Sequence, residues 1–326
     1  MRLFSKRSTI ATAFSKRPIA SCCAQTFHRH PLSSPFSSTL SPHVNSFLAP
    51  LSLISHQYRH ASQSNTDQQC LLSIDNNIAR LSFNRGPQKN AFSRKFIADL
   101  NEHLDSILAE GPNIRVVLID SVDPSIFCAG ADLKERATMS QAEASQFVSK
   151  LRSTMDRIEQ LPQPTIALVA GGAFGGGLEL ALACDMRLAL KQTQMGLVET
   201  SLAIIPGAGG TQRLPRIIGM AKAKELIYTA RRFNGEYAEK IGLMNYALEN
   251  EEQIQAKALE LANEIAKNGP VAVRVAKIAV QNGIEVERQQ GMVLEQQCYA
   301  QVIPTKDRME GLMAFKERRK PEYKGE

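Results

Sequence analysis

The sequence predicts an α/β core running to about residue 262, followed by a helical part over 263–326. Three observations carry this. Continuous apolar runs at 116–119, 165–169 and 186–190 are bounded by charged and turn residues, the pattern of strands buried on both faces. Those runs alternate with Gly-containing turns and helical segments, as in a layered α/β domain. Beyond Gly219 the apolar residues recur almost wholly at helical spacing, over 221–229, 254–266, 271–281, 286–302 and 305–316.

The core opens on two apolar runs, 70–74 and 78–83, around Asp75-Asn76-Asn77, a turn signal that predicts a β-hairpin. Ala98, Leu100, Leu104, Ile107 and Leu108 then repeat at helical spacing from near Ser93 to the stop at Gly111-Pro112. After the strand at 116–119 comes a polar helix over 141–159. The strand at 165–169 runs directly into a glycine-rich stretch, 171–177, and an apolar helix over 178–184; the strand at 186–190 follows.

Residues 1–66 differ in kind. They hold no Asp or Glu but seven basic residues, whereas the remainder carries 32 basic against 32 acidic. The formal charge of +7 therefore sits in one end segment and is no warrant for a nucleic-acid or membrane-surface partner of the body. The segment is Ser-rich and broken by Pro18, Pro31, Pro35, Pro42 and Pro50, the composition of an organelle transit peptide, here a mitochondrial one, cleaved between about 59 and 67. A basic arm that binds RNA or lipid is the alternative. The apolar stretch 47–54 is too short and too broken to span a bilayer. Only His103 remains in the body, which argues against Ser-His-Asp chemistry and multi-His metal sites. Cys70, Cys128, Cys184 and Cys298 are widely spaced and read as reduced core thiols.

The glycine run offers three readings. The Rossmann and P-loop spacings are absent both from 171–177 and from Gly207-Ala208-Gly209-Gly210. What remains is a turn whose backbone N–H groups face a ligand oxygen at a helix N-terminus, or close packing of helix on strand. Glu179 lies just inside the following helix among apolar neighbours, where burial raises a carboxyl's proton affinity, so it is a candidate acid/base. Its plainer role is to complement the helix dipole. Glu199, in Met195-Gly196-Leu197-Val198-Glu199, is the second candidate; its plainer role is a solvated loop carboxylate. Cys128 lacks any nearby His to activate it and reads as a small apolar residue. Asp132 is placed as an N-cap, with the amide of Ala131 beside it as a second donor for an oxyanion.

These motifs resemble the enoyl-CoA hydratase/isomerase (crotonase) superfamily over the whole body, from about residue 70. They are Asn84-Arg85 with Lys89-Asn90-Ala91, Cys128-Ala129-Gly130-Ala131-Asp132, Gly175-Gly176-Gly177-Leu178-Glu179, Ala183-Cys184-Asp185, and the run from Ile205 to Arg213. Residues 129–137, 195–220 and 303–326 further resemble the methylglutaconyl-CoA hydratase subgroup, which includes an RNA-binding homologue. The resemblance implies a spiral of repeated ββα units with a C-terminal helical region that forms trimers or dimers of trimers. It implies an acyl-CoA thioester substrate, no cofactor beyond the coenzyme A carried by that substrate, and the mitochondrial matrix as location. Ala131 and Gly176 would donate to the thioester oxygen, Glu179 would act on water, and Glu199 would supply the α-carbon proton. Lys89, Ala129, Asp132, Lys134, Gly207, Phe315 and Arg318 are carried over as substrate and CoA residues, Arg318 standing where the family has Lys. A 3-methylglutaconyl group would want a cation for its distal carboxylate, and Lys134 or Arg136 could supply it. A general short-chain enoyl-CoA hydratase stays open, as does a silent CoA- or RNA-binding scaffold. Nucleic acid is not an expected partner, because 93–110 carries Arg94 and Lys95 against Asp99, Glu102, Asp105 and Glu110.

Overall fold

Two sheets organise the described residues, 68–326 of the computed structural model; the expected transit segment lies outside them. Strands β1 (Cys70–Asp75) and β2 (Ile78–Phe83) form the expected antiparallel hairpin. Its turn residues Asn76 and Asn77 take φ of 49° and 66°, a region that Asn tolerates. Helix α1 (Arg94–Glu110) starts at Ser93, whose side chain accepts the Phe96 N–H, and buries Phe96, Ile97, Leu100, Leu104 and Ile107.

From here the strands come in pairs: β3 (Val116–Ser121) with β4 (Ile126–Cys128), β5 (Thr165–Val169) with β6 (Gly172–Phe174), and β7 (Met186–Leu190) with β8 (Gln194–Gly196). Helices α2 (Leu133–Ala137) and α3 (Gln141–Glu159) follow the first pair, and α4 (Gly176–Ala183) the second. A 3-10 turn (Glu199–Leu202), then α5 (Gly210–Ile218) and α6 (Met220–Tyr228), follow the third. The chain then adds β9 (Phe233–Asn234), α7 (Gly235–Lys240), β10 (Tyr246–Leu248) and α8 (Glu251–Ala266). The first strand of each pair enters a six-stranded sheet, ordered β1-β2-β3-β5-β7-β10, and the second enters a four-stranded sheet, ordered β4-β6-β8-β9. All neighbours are parallel except β1/β2 and β8/β9. Each ββα unit thus lays one strand on each sheet and advances one step, which makes a spiral.

The period of two explains why the central strands read as unbroken apolar runs. Val117, Ile119, Ala167, Val169 and Ala189 face the larger core with α1, α3 and α4, while Val116, Leu118, Ile166, Leu168 and Leu188 face Ile254, Ala258 and Ala262 of α8. The boundary expected at 262/263 falls inside α8, which packs on the sheet as far as Ile265. Helices α9 (Pro270–Gly283), α10 (Arg288–Val302) and α11 (Lys306–Glu317) make the C-terminal part. No helix of the described residues is long and apolar enough to cross a membrane.

The reading of the region after Gly219 as almost wholly helical is corrected by β9 and β10, and β4, β6 and β8 are also absent from the sequence reading. All five are two or three residues long, too short for a period to register. Residues 172–174, read as part of a glycine turn, are a strand of the smaller sheet.

Candidate active site

The turn after β4 is held from outside by a latch. Asn90 is buried with φ 51°; its Oδ1 accepts the Arg85 N–H (2.8 Å), and its Nδ2 donates to Ser121 Oγ (2.8 Å) and to the carbonyls of Ile126 (3.2 Å) and Phe127 (3.0 Å). Arg85 donates to the Ala91 carbonyl (2.7 Å) and to Asp132 Oδ2 (2.9 Å). The Phe92 N–H donates to the Gly130 carbonyl (2.7 Å), and the Asp132 N–H to the Phe92 carbonyl (3.0 Å). These bonds fix the turn on both sides of Ala131, whose own N–H meets no acceptor among the described residues. Asp132 caps α2 as expected, accepting from the amides of Lys134 and Glu135. Cys128 is buried, donates to the Asn90 carbonyl, and has its thiol pushed by burial up to about 12, which makes it a packing residue rather than a nucleophile.

The glycine run divides its labour by position. Gly175 holds φ 53°, and a Cβ there would stand 3.1 Å from Glu199 Oε1. Gly176 is the first residue of α4, so its N–H has no intrahelical partner and points out of the positive end of the helix dipole. A Cβ on Gly130 would come within 3.1 Å of the Gly176 nitrogen, so the two turns touch and the amides of Ala131 and Gly176 belong to one locus. Gly177 is a packing glycine: a Cβ on it would lie 2.2 Å from the Cys128 carbonyl oxygen.

Helix α4 buries Glu179 to 2 % exposure. Its Oε1 accepts the amides of Ala208 (2.8 Å) and Gly210 (2.7 Å), and its Oε2 accepts no hydrogen bond from the described residues. Burial raises its proton affinity; the two amides, Arg213 and Arg152 pull the other way, and the net is upward. Glu199 opens the 3-10 turn after β8. No other described residue donates to its carboxylate, its Oε2 is buried without a partner, and burial together with the charge of Glu179 pushes it up to about 7. The two environments differ in kind. The amide donors and cations around Glu179 favour it as the charged member of the pair, and the lack of donors at Glu199 favours that group as the one that keeps the proton.

Glu179, Glu199, Ala131 and Gly176 all line one cavity of about 1540 Å³, with a wall that includes Leu133, Val148, Leu151, Ile205 and Pro206. A pocket with an apolar wall, two unpartnered amides and two carboxyls is suited to stabilising an enolate and moving protons on its carbon atoms.

The sequence matches the enoyl-CoA hydratase/isomerase family over residues 73–326. It is 54% identical over 252 residues to the mitochondrial methylglutaconyl-CoA hydratase of Homo sapiens, covering 76% of this chain and 74% of that protein. The chain belongs to the enoyl-CoA hydratase/isomerase family. A second relative of this family member, mitochondrial enoyl-CoA hydratase domain-containing protein 2 of Mus musculus, is 49% identical over 79% of this chain and 88% of its own. The crystal structure of an enoyl-CoA hydratase from Bacillus anthracis superposes with a TM-score of 0.77 at 49% identity, covering 79% of this chain and all of that one. The fold is the crotonase fold, and the protein is a lyase of the enoyl-CoA hydratase type.

Within this enoyl-CoA hydratase/isomerase chain, Lys89, Ala129 and Gly207 also line the cavity, but Asp132 and Lys134 do not. Asp132 caps α2 and pairs with Arg85, which sets the Ala131 turn. Lys134 is exposed on α2, whereas Arg136, two residues on, does line the cavity. Phe315 is 86 % exposed, and Arg318 is the exposed C-cap of α11 with φ 57°; neither lines the cavity of its own chain. The sequence reading missed Arg152, Arg213 and Arg232, all on the cavity wall. Arg213 had a usable signal, since it closes the quoted motif that runs from Ile205. Arg152 and Arg232 sit in segments without any motif.

A pH profile follows from the asymmetry of the two carboxyls. A group that must donate a proton and is held up at about 7 loses it as the pH rises. We expect kcat/KM to decline as pH rises through about 7, with initial-rate assays across the neutral range as the check. A profile flat across that range would contradict the assignment of the proton to Glu199.

Proposed function

We propose that the protein hydrates 3-methylglutaconyl-CoA in leucine breakdown, by the following steps. The thioester oxygen accepts the amides of Ala131 and Gly176. The Glu179 carboxylate takes a proton from water as the water oxygen bonds to the β-carbon; the electron pair moves onto the thioester oxygen, and the two amides hold the enolate. The enolate then collapses, and the α-carbon takes the proton of the Glu199 carboxyl. One water is added, and the pair is left with Glu179 protonated and Glu199 charged, one proton transfer from its starting state. The addition is redox-neutral and its charge is met by backbone amides, so we propose no cofactor beyond the coenzyme A of the substrate. The observation that carries the reading is the convergence of Glu179, Glu199 and two unpartnered amides on one cavity.

Two things favour the carboxylate-bearing substrate over a plain short-chain one. The first is the name of the human relative. The second is the set of cations on the wall. Arg213 and Arg216 are ion-paired, Arg152 donates to the Gly207 carbonyl (3.0 Å), and Arg232 lies over the Phe174 ring. The side chains of Lys89 and Arg136 carry no hydrogen bond or ion pair among the described residues; of the two, Arg136 shares α2 with Leu133 of the apolar wall and is the one we assign to the distal carboxylate. Arg136→Met is therefore expected to lower kcat/KM for 3-methylglutaconyl-CoA by about tenfold to a hundredfold, the worth of a charge-assisted hydrogen bond, and to leave crotonyl-CoA nearly unchanged. Steady-state kinetics on both substrates checks this; a wild-type preference for crotonyl-CoA would point to general β-oxidation instead.

We propose a homotrimer or a dimer of trimers, assembled through the C-terminal helices. Val280, Ile284, Met292, Val293, Tyr299, Leu312, Met313 and Phe315 are all at least half exposed there, large apolar side chains that contact between copies would cover. In such an assembly Phe315 and Arg318 would reach a neighbour's CoA; a monomer by light scattering would count against it. The mitochondrial matrix is the proposed location, on the composition of residues 1–66 and the mitochondrial relatives. Nucleic acid is not a proposed partner, given the acidic balance of α1.

A further inference from the structure

We infer that Arg213 is the positioning residue of the catalytic base: it braces the 208–210 turn from behind, so that the two amides of that turn stay aimed at Glu179. This rests on the reading of Glu179 given above.

The turn is sandwiched between two charged groups. On its inner side the amides of Ala208 and Gly210 donate to the same oxygen of Glu179. On its outer side Arg213, 9 % exposed, donates from Nη1 to the Ala208 carbonyl at 3.0 Å. The contacts leave no slack. A Cβ on Gly210 would sit 3.0 Å from Glu179 Oε1, and one on Gly209, which holds φ 110°, would sit 2.0 Å from Arg213 Nη1. The peptide between Ala208 and Gly209 is therefore gripped at its carbonyl by a cation, while the Ala208 and Gly210 amides grip an anion.

Arg213 is itself fixed from another element. Its Nε (3.1 Å) and Nη2 (2.6 Å) both donate to Glu159 Oε2, and Nη2 also donates to Asp156 Oδ1 (2.7 Å). Asp156 and Glu159 lie three residues apart in α3, on one face of the helix. The guanidinium thus uses its planar fork to join α3, α5 and the 208–210 turn, a geometry that Lys cannot reproduce.

Four sets of charged groups act on Glu179 from the elements around it: Arg213 from α5, Arg152 from α3, Glu199 from the 3-10 turn, and, through Arg213, the Asp156–Glu159 pair of α3. Loss of Arg213 removes one stabiliser of the Glu179 anion directly and loosens two more, the amides. All three changes raise the proton affinity of the base.

The test is the pH dependence of kcat and KM for the full-length protein with its preferred enoyl-CoA. Arg213→Met is expected to cut kcat by about tenfold to a hundredfold, the usual penalty of a misplaced catalytic group, with KM little changed. Its acid limb should move up by about one pH unit, the scale of a lost opposite charge. Arg213→Lys keeps the charge but not the fork, and should return the limb toward wild type while recovering only part of kcat. Because Arg213→Met strands two carboxylates, the triple variant Arg213→Met, Asp156→Asn, Glu159→Gln removes the whole cluster in neutral form and guards against a folding defect; its limb should also move up, by less than in Arg213→Met because two anions leave with the cation. Folded variants whose acid limb overlays that of wild type would overturn the inference, whether kcat fell or not. Glu179→Gln in the same assay separates the two levels: if it leaves turnover intact, the reading of the base has failed, whereas its inactivity alongside unshifted Arg213 variants sinks only the inference.

Discussion

Glu179→Gln and Glu199→Gln should each lower kcat for hydration by about a thousandfold or more, with the melting temperature held or raised. General acid–base groups contribute about 10² to 10⁴ each, and nothing on the wall stands ready to replace either of these two. Its other carboxyls, Asp156, Glu159 and Glu285, are engaged by Arg213 and Arg216, and it bears no imidazole. Stability should survive because the substitutions are isosteric. With the amide in place of Glu179, its carbonyl oxygen can still accept from Ala208 and Gly210. Glu199, whose Oε2 is buried without a partner and whose pKa is pushed up to about 7, becomes a side chain that stays neutral at every pH. The double variant should be about as slow as the slower single one, since the two groups act in one proton relay. Turnover near wild type in both single variants, on every enoyl-CoA tried, would refute the hydratase mechanism.

Gly177→Ala is expected to be the most damaging single methyl at the site. The added Cβ would stand 2.2 Å from the Cys128 carbonyl oxygen and 2.8 Å from both the Cys128 carbonyl carbon and its Cβ. Most of these are backbone atoms in a turn already pinned by Asn90 and Arg85, so no flexible side chain can yield. Overpacking of this kind costs about 1–3 kcal/mol and more where the backbone must move. A functional loss accompanies it, because α4 and the 128–131 turn would be driven apart, and the amides of Gly176 and Ala131 with them. Misaiming one oxyanion donor costs about 10² to 10³ in kcat. Thermal unfolding and kcat measured together are the check; a variant with wild-type values of both would show that the two turns do not bear on each other.

Much of this is legible in the sequence, and what is not has a physical reason. The long buried strands β3, β5 and β7 announce themselves because both faces are apolar, and α1 because its apolar residues recur at helical spacing. Glu179 is visible as a carboxylate among apolar neighbours. The smaller sheet is not, because strands of two or three residues have no period and its β6 is written mostly in glycine and alanine. Nor can sequence separate the roles of adjacent glycines: Gly176 offers an amide and Gly177 a gap, a difference made by Cys128, which lies in a distant part of the chain. Lys134 and Arg136 look interchangeable as cations, but two residues apart they lie on different sides of a short helix, and only Arg136 reaches the cavity wall.

The alternation of strands between the two sheets has a consequence for how such a protein can change over evolutionary time. Successive steps of the spiral each deliver a separate part of the chemistry: Ala131 after β4, Gly176 with Glu179 after β6, and Glu199 after β8. The parts are stacked like shelves, joined through backbone ladders that take no account of which side chain each shelf bears. A change at the Glu199 step therefore leaves the Ala131 and Gly176 amides in place, and under the proposed mechanism it would remove the proton donor alone.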